Sequence, residues 1–199
     1  MFAFLRRAWC RLRGRDYQSE GVLMPSAKRV RQFDENMSVG KEVLEIGTGS
    51  GVLAKMAFKK GAGNVTAVDI NPSAVRMASK NVPEARVLES DLFEKVEGSF
   101  DTIIFAAPWS EGEIKNDYHH ALYDTGVVCR FLEEAGSRLN PGGDIWIQYC
   151  DAFPKNNERF LSDIKEKGYS IDGSWSYSGW GNLVKRKVNV TLYRLKPGA

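Results

Sequence analysis

Histidine and cysteine are scarce in this chain. Its 199 residues include two histidines and three cysteines that lie far apart in the sequence: Cys10, Cys129 and Cys150. No CxxC pair or Cys/His cluster is present, which excludes a typical zinc site and a disulfide framework. His119 and His120 are adjacent, but neighbouring residues point to different faces of a helix, so we predict no metal site. Isolated thiols are typical of a reducing compartment, and we expect a cytoplasmic protein.

Long apolar runs are also missing. No apolar stretch approaches the roughly 20 residues that cross a bilayer. Arginines interrupt the apolar residues at the start of the chain and no small-residue cleavage site follows, so we do not expect a secretory signal. With 43% hydrophobic and 27% charged residues, the length fits one soluble globular domain.

Basic charge is concentrated near the N-terminus. Residues 1–31 contain eight lysines and arginines against two acids, a net charge of +6, so the remaining chain carries −3 of the total of +3. Residues 2–13 predict a short amphipathic helix with one apolar face: Phe2, Leu5, Trp9 and Leu12. We predict that residues 1–25 form a lid over the functional cleft of a domain spanning 26–199. The alternative is an arm that captures an anionic partner, either RNA or a membrane surface.

Apolar strands alternate with helical segments from residue 26 onward. After a helix from Ser26 to about Met37, strands are predicted at 43–46, 64–69, 86–89, 100–105 and 144–149, and helices at 52–60, 72–81, 121–139 and 157–167. Two late strands, 169–175 and 187–195, have no crossover helix between them and should be antiparallel. The pattern predicts a Rossmann-like, doubly wound α/β sheet, mostly parallel with an antiparallel C-terminal strand.

The turns after the first strands carry residues that can contact a nucleotide. Ligands of such sheets bind at the carboxyl ends of the strands. The first turn is Glu45-Ile-Gly-Thr-Gly-Ser-Gly51, where alternate glycines let the backbone approach a ligand and the following helix offers unpaired N–H groups. Asp69 ends the second strand about 20 residues later, where a carboxylate accepts hydrogen bonds from ribose hydroxyls. Asp91 follows the third strand, and we expect it to contact adenine.

The spacing of the glycines argues against a dinucleotide. A GxGxxG pattern would need glycine at position 52, which is Val52. Glu45 suits the cationic amino group of a nucleoside that carries an amino acid, and it would repel a pyrophosphate. A nicotinamide-dependent oxidoreductase is therefore disfavoured, although it remains an alternative.

Taken together, these segments resemble a class I methyltransferase that depends on S-adenosylmethionine (SAM). They are Glu-Ile-Gly-Thr-Gly-Ser-Gly from 45, Val-Asp-Ile-Asn-Pro-Ser-Ala-Val from 68, Ser-Asp-Leu-Phe from 90 and Phe-Asp-Thr-Ile-Ile from 100. The similarity is greatest to small-domain methyltransferases related to release-factor glutamine methyltransferases. It implies methyl transfer to a nucleophile, preferentially nitrogen, on a small molecule, protein or RNA. It also implies SAM-binding residues: Glu45, Gly47, Thr48, Gly49, Gly51, Asp69, Ile70, Asp91, Leu92 and Ala106.

The turn after the fourth strand departs from that group. Its members carry Asn-Pro-Pro-Tyr, in which the Asn side chain and the next carbonyl bind the nitrogen to be methylated. Here the four residues are Ala106, Ala107, Pro108 and Trp109. The side chain of alanine cannot accept a hydrogen bond, so we predict that Ala107, Pro108 and Trp109 form an acceptor site that is not specific for a glutamine amide. A SAM-binding protein with lost or altered catalysis is the alternative.

Overall fold

A computed structural model of the chain describes residues 17–19, 21–181 and 186–198. The predicted helix over 2–13 lies outside these residues. The strands are β1 (Tyr17–Ser19), β2 (Val22–Met24), β3 (Glu42–Ile46), β4 (Asn64–Asp69), β5 (Arg86–Glu89), β6 (Phe100–Ala106), β7 (Leu139–Cys150), β8 (Tyr169–Gly181) and β9 (Arg186–Pro197). The helices are α1 (Ala27–Asn36), α2 (Val52–Lys59), α3 (Pro72–Asn81), the single turn α4 (Asp117–His120), α5 (Val127–Ala135) and α6 (Pro154–Glu166).

Seven of these strands form one sheet in the order β5-β4-β3-β6-β7-β9-β8. The strands from β3 to β7 are parallel to their neighbours, and β9 is antiparallel to both β7 and β8. The predicted doubly wound sheet with an antiparallel strand near the C-terminus is therefore confirmed. The chain order reverses between β3 and β6, and a crevice for a ligand is expected outside the carboxyl ends of the strands at this point.

Helices cover both faces of the sheet, because the parallel strands are apolar on both sides. On one face Phe33 of α1 and Leu53 of α2 pack against sheet residues that include Trp146. On the other face Phe131 of α5 and Phe160 of α6 pack against a second set of buried strand residues. In the part of the chain that the structure describes, no helix is long and apolar enough to cross a membrane.

Local sequence signals fix the starts of two helices that flank the crevice. The Ser26 hydroxyl accepts a hydrogen bond from Arg29 N (3.4 Å) at the start of α1. Asn71 Oδ1 accepts from Ser73 N (2.8 Å) at the start of α3, where Pro72 occupies the first turn. Both helices begin where a capping residue is available.

The helix predicted over 121–139 is present but begins later, because α5 spans Val127–Ala135 and is followed by a 3-10 turn over Gly136–Arg138. The structure has the single turn α4, a loop, and then α5 from Val127. Gly126 adopts a left-handed conformation with φ of 95°, which interrupts a right-handed helix. Asp124 Oδ1 accepts a hydrogen bond from Gly126 N (3.0 Å) and stabilises the loop instead.

Other predicted boundaries also differ, and β8 continues to Gly181 where its end was predicted at 175. The segment 17–24, for which we predicted no strand, forms the antiparallel hairpin of β1 and β2. Strand β7 begins at Leu139 and includes the Asn140–Gly143 segment, with a register shift against β6 between Phe100 and Thr102. Helix α6 begins at Pro154, one turn before the predicted start.

Candidate active site

The turn between β3 and α2 requires glycine because its backbone is left-handed. Gly47, Gly49 and Gly51 have φ angles of 68°, 55° and 78°, a region in which residues with a Cβ are strained. A Cβ on Gly51 would also lie 2.9 Å from Val82 Cγ2, so this glycine lets α2 pack against the end of α3. The turn therefore exposes backbone without side chains, and the N-terminus of α2, at the carboxyl end of β3.

Glu45 connects this turn to α2. Its side chain is almost fully buried, and Oε2 accepts hydrogen bonds from Thr48 Oγ1 (2.7 Å) and from Ala54 N (2.9 Å). Burial penalises the charged form and raises the pKa of Glu45 to about 8. The carboxyl group thus shapes the glycine turn and also lines the crevice.

Asp69 at the end of β4 fixes the same turn from the other side. Its Oδ2 accepts from Gly49 N (2.8 Å) and its Oδ1 from Asn71 N (2.9 Å). Burial raises the pKa of Asp69 above its ordinary value, and these backbone hydrogen bonds oppose the shift. Asn71 Nδ2 in turn donates to Gly21 O (3.1 Å), so the β1–β2 hairpin is tied to the turn after β4.

The turn after β5 places Asp91 and Leu92 at the crevice. Asp91 Oδ2 forms an ion pair with Arg130 Nη2 of α5 (3.0 Å). Leu92 is buried and has a φ of 47°, a left-handed conformation that is unusual for leucine. Strained backbone of this kind is concentrated at functional sites.

These turns enclose a cavity of about 210 Å³ at the carboxyl ends of the central strands. The β1–β2 hairpin forms one wall, since Gly21, Val22, Leu23 and the following Pro25 line the cavity. Ten residues predicted from the sequence line it as well: Glu45, Gly47, Thr48, Gly49, Asp69, Ile70, Asp91, Leu92, Ala106 and Pro108. Gly51, Ala107 and Trp109 lie outside the lining.

The predicted acceptor segment enters a loop that is anchored by backbone hydrogen bonds. Ala107 is buried, and its N–H donates to Gln148 O on β7 (3.1 Å). Ser110 N donates to Leu122 O (2.9 Å), which closes the loop between β6 and α5. The ring of Trp109 packs against Phe153, with ring centroids 6.5 Å apart. Trp109 therefore contacts the body of the protein, whereas Ala106 and Pro108 face the cavity.

Sequence reasoning missed several polar residues that line the cavity, among them Arg29 on α1 and Gln148 on β7. Both are buried, and Arg29 Nε donates to Gln148 Oε1 (2.7 Å). A signal was present, because Gln148 interrupts the apolar run from Ile145 to Cys150 within β7. His120 of α4 also lines the cavity, but no group of three or more metal-ligating side chains occurs among the described residues.

The sequence of the chain matches a known protein family. The model of the methyltransferase small domain matches residues 26–163. The chain belongs to this family. A relative from Methanocaldococcus jannaschii, whose provisional name is protein N5-glutamine methyltransferase, is 35% identical over 144 residues, which are 66% of this chain and 72% of that protein. The ribosomal protein L11 methyltransferase of Pelotomaculum thermopropionicum is 35% identical over 120 residues, 57% of this chain and 34% of that protein.

Solved structures show the same fold. A ribosomal protein L11 methylase from Lactobacillus delbrueckii subsp. bulgaricus superimposes with a TM-score of 0.65 at 19% identity, covering 92% of this chain and 82% of that chain. The N-methyltransferase NodS from Bradyrhizobium japonicum, solved with S-adenosyl-L-homocysteine, has a TM-score of 0.60 at 14% identity and covers 84% of both chains.

The small-domain methyltransferase described here is an enzyme that depends on SAM. Family membership decides against the nicotinamide-dependent oxidoreductase. The cavity fits the cofactor chemically, because its carboxylates suit the cationic ammonium and sulfonium groups of SAM. Gly49 also lines the cavity, and its φ of 55° is strained for any residue with a Cβ, so the backbone of the turn is exposed to a ligand there.

Proposed function

We propose that this methyltransferase transfers the methyl group of SAM to a basic amine nitrogen of a protein acceptor. The observation that carries the proposal is the composition of the turn after β6. Ala106 and Pro108 face the cavity and offer no side-chain hydrogen-bond acceptor there. An amide nitrogen shares its lone pair with the carbonyl group and depends on such acceptors for activation. A deprotonated amine has a free lone pair and needs mainly to be aligned.

In this proposal the residues at the strand ends bind and orient the cofactor. The backbone of the glycine turn, Glu45 and Asp69 surround its amino-acid and ribose portions, and Asp91 with Leu92 contacts the base. When bound, SAM supplies an electrophilic methyl group on a sulfonium. Alignment of two reactants can contribute ~7–11 kcal/mol, so no additional nucleophile is required. The residues around the cavity would hold the amine in line with the methyl group that bound SAM would supply, and the amine proton would pass to solvent.

Relatives support a protein acceptor. Their names describe a protein N5-glutamine methyltransferase and ribosomal protein L11 methyltransferases. The chain spans less than half the length of the L11 methyltransferases that it matches, so any acceptor-binding segments of those proteins need not have counterparts here. The acceptor atom must therefore be identified directly.

Isotope labelling tests the proposal. The protein is incubated with an extract of its source cells and SAM carrying a trideuterated methyl group, and modified residues are identified by peptide mass spectrometry. We expect label on lysine or an α-amino group, and at least tenfold less label on a Gly-Gly-Gln peptide. Efficient methylation of that glutamine would contradict the proposal. Binding of SAM without label on any acceptor would instead support the alternative of lost catalysis.

A variant tests whether residue 106 determines the preference for an amine over a glutamine amide. Ala106→Asn restores the side chain that amide-specific relatives carry. We expect this variant to keep the affinity for SAM within about threefold and to gain no activity on the amine acceptor. Its rate on the Gly-Gly-Gln peptide relative to the amine acceptor should rise.

A further inference from the structure

One of the two histidines of the chain faces the cavity. His119 and His120 both lie on α4, in the loop between β6 and α5. His120 lines the cavity. The ring of His119 also contacts its own loop, with Nδ1 3.1 Å from Lys115 N and its centroid 5.0 Å from that of the Tyr123 ring. The His120 ring forms no hydrogen bond or ion pair with the residues that the structure describes, so its nitrogens are open to a bound ligand.

Backbone hydrogen bonds hold this turn against the segment that follows β6. Trp109 N and Ser110 N both donate to Leu122 O (3.3 and 2.9 Å), two residues after His120. His120 and Pro108 therefore enter the cavity from adjoining stretches of one loop. This loop brings an imidazole to the wall of the cavity at which the proposed function places the methyl acceptor.

His120 is also within electrostatic reach of the carboxylate at the end of β4. Burial raises the pKa of Asp69, and a positive charge on His120 opposes that shift together with the backbone hydrogen bonds. On the loop of His120 itself, Lys115 and Glu113 are paired with each other (3.6 Å). The imidazole is therefore near both the acceptor segment and the carboxylate that is expected to hold the ribose.

We propose that His120 removes a proton from the acceptor amine before methyl transfer. The inference rests on the proposed function, in which the acceptor is an amine. An N–H bond of the bound ammonium group breaks, its electron pair stays on the amine nitrogen, and the proton forms a bond to a ring nitrogen of neutral His120. Imidazole is the side chain best suited to exchange protons near neutral pH. His120 is partly exposed, so it can pass the proton on to solvent.

The other charged groups of the cavity favour loss of this proton. In water an aliphatic ammonium group holds its proton more tightly than imidazolium does, but burial disfavours the charged form. Arg29 and Arg130 line the cavity and repel an ammonium group. The charge of Asp91 is offset by Arg130 (3.0 Å), and the carboxylate of Asp69 is held by backbone N–H groups. Burial raises the pKa of Glu45 to about 8, so this side chain is largely uncharged at neutral pH.

The first test measures whether His120 lies beside the reacting methyl group, and it needs no acceptor. NMR spectra of the protein labelled with ¹³C in histidine contain two imidazole signals, which His119→Gln and His120→Gln assign. We expect the His120 signal to differ between the complexes with SAM and with S-adenosylhomocysteine, which lacks the methyl group and its positive charge. The His119 signal should be the same in both. Identical His120 signals would overturn the inference, whereas failure to bind either ligand would refute the assignment of the cavity to the cofactor.

The second test measures transfer of a trideuterated methyl group from SAM to the proteins of a cell extract. At neutral pH, His120→Gln should be slower than the wild type by about tenfold or more, with its SAM affinity within about threefold. The deficit should shrink as the pH rises, because the amine then loses its proton to solvent. His119→Gln is the matched control and should keep the wild-type rate.

The outcomes of the second test separate this inference from the proposed function. A wild-type rate in His120→Gln, a deficit that does not change with pH, or an equal loss of SAM affinity would each overturn the inference. Label confined to glutamine amides in the wild-type reaction would instead contradict the proposed function.

Discussion

Glu45 is a carboxylic acid whose protonation depends on folding. Burial raises its pKa to about 8, from an ordinary value of 4.5. Between these pH values the folded state holds a proton that the unfolded state has released. The free energy of unfolding of the cofactor-free protein should therefore fall as the pH rises from roughly 5 to 8.

The variant Glu45→Gln isolates this contribution. A glutamine oxygen can still accept from Thr48 and from the N–H of Ala54, but the side chain does not titrate. We expect the difference in melting temperature between variant and wild type to grow in favour of the variant from pH 5 to pH 8, measured without SAM. Glu42→Gln, a partly exposed position on the same strand, is the control. A difference in melting temperature between Glu45→Gln and the wild type that stays constant from pH 5 to pH 8 would show that Glu45 does not cause the pH dependence of stability.

Asp69 and Gly49 act as a pair, because the carboxylate of Asp69 accepts from Gly49 N. Asp69→Ala should weaken SAM binding by at least tenfold, since it removes the predicted ribose contact and releases the glycine turn. Gly49→Val should abolish binding, because the left-handed φ of 55° disfavours a branched side chain. Titration calorimetry measures the SAM affinity of both variants.

Asp34→Ala, at an exposed acid on α1, is the control and should bind SAM as the wild type does. Wild-type affinity in both Asp69→Ala and Gly49→Val would refute the assignment of these residues to the SAM site.

At the scale of elements, the β1–β2 hairpin forms one wall of the cavity. Val22 is 2% exposed although it lies near the start of the described chain, and Gly21 O is hydrogen-bonded to Asn71. These contacts support the proposal that residues 1–25 form a lid. The basic segment before the hairpin lies outside the described residues, so its role in the lid is a separate prediction.

Deletion of residues 1–15 tests that prediction. If the apolar face of the segment packs on the domain, removing it should lower the melting temperature by a few degrees and weaken SAM binding together, because burial of its apolar side chains stabilises the closed site. The measurements are thermal unfolding and calorimetric titration. Unchanged values for both, with loss of binding to RNA or to anionic vesicles, would identify the segment as a targeting arm. A deletion of the C-terminal residues 198–199 serves as the control.

At the scale of the whole molecule, the site joins parts of the chain that are far apart in sequence. The hairpin before α1, the turns after β3, β4, β5 and β6, and the loop before α5 all contribute to one cavity. This convergence follows from the parallel sheet, which brings the carboxyl ends of its strands to one edge. The loop before α5 is the part whose course the sequence misassigned.

The sequence by itself determined the parallel strands and the strand-end residues, because short-range signals encode them. Alternating apolar segments define the strands, and a left-handed turn at Gly47, Gly49 and Gly51 tolerates little except glycine. Only the tertiary structure decided which polar side chains share the cavity. Arg29 and Gln148 are separated by 119 positions, and their pairing depends on how α1 packs on β7. The β1–β2 hairpin and the break before α5 were missed for a different reason, because they depend on local turns and capping contacts, such as Asp124 Oδ1 with Gly126 N, that hydrophobic periodicity does not register.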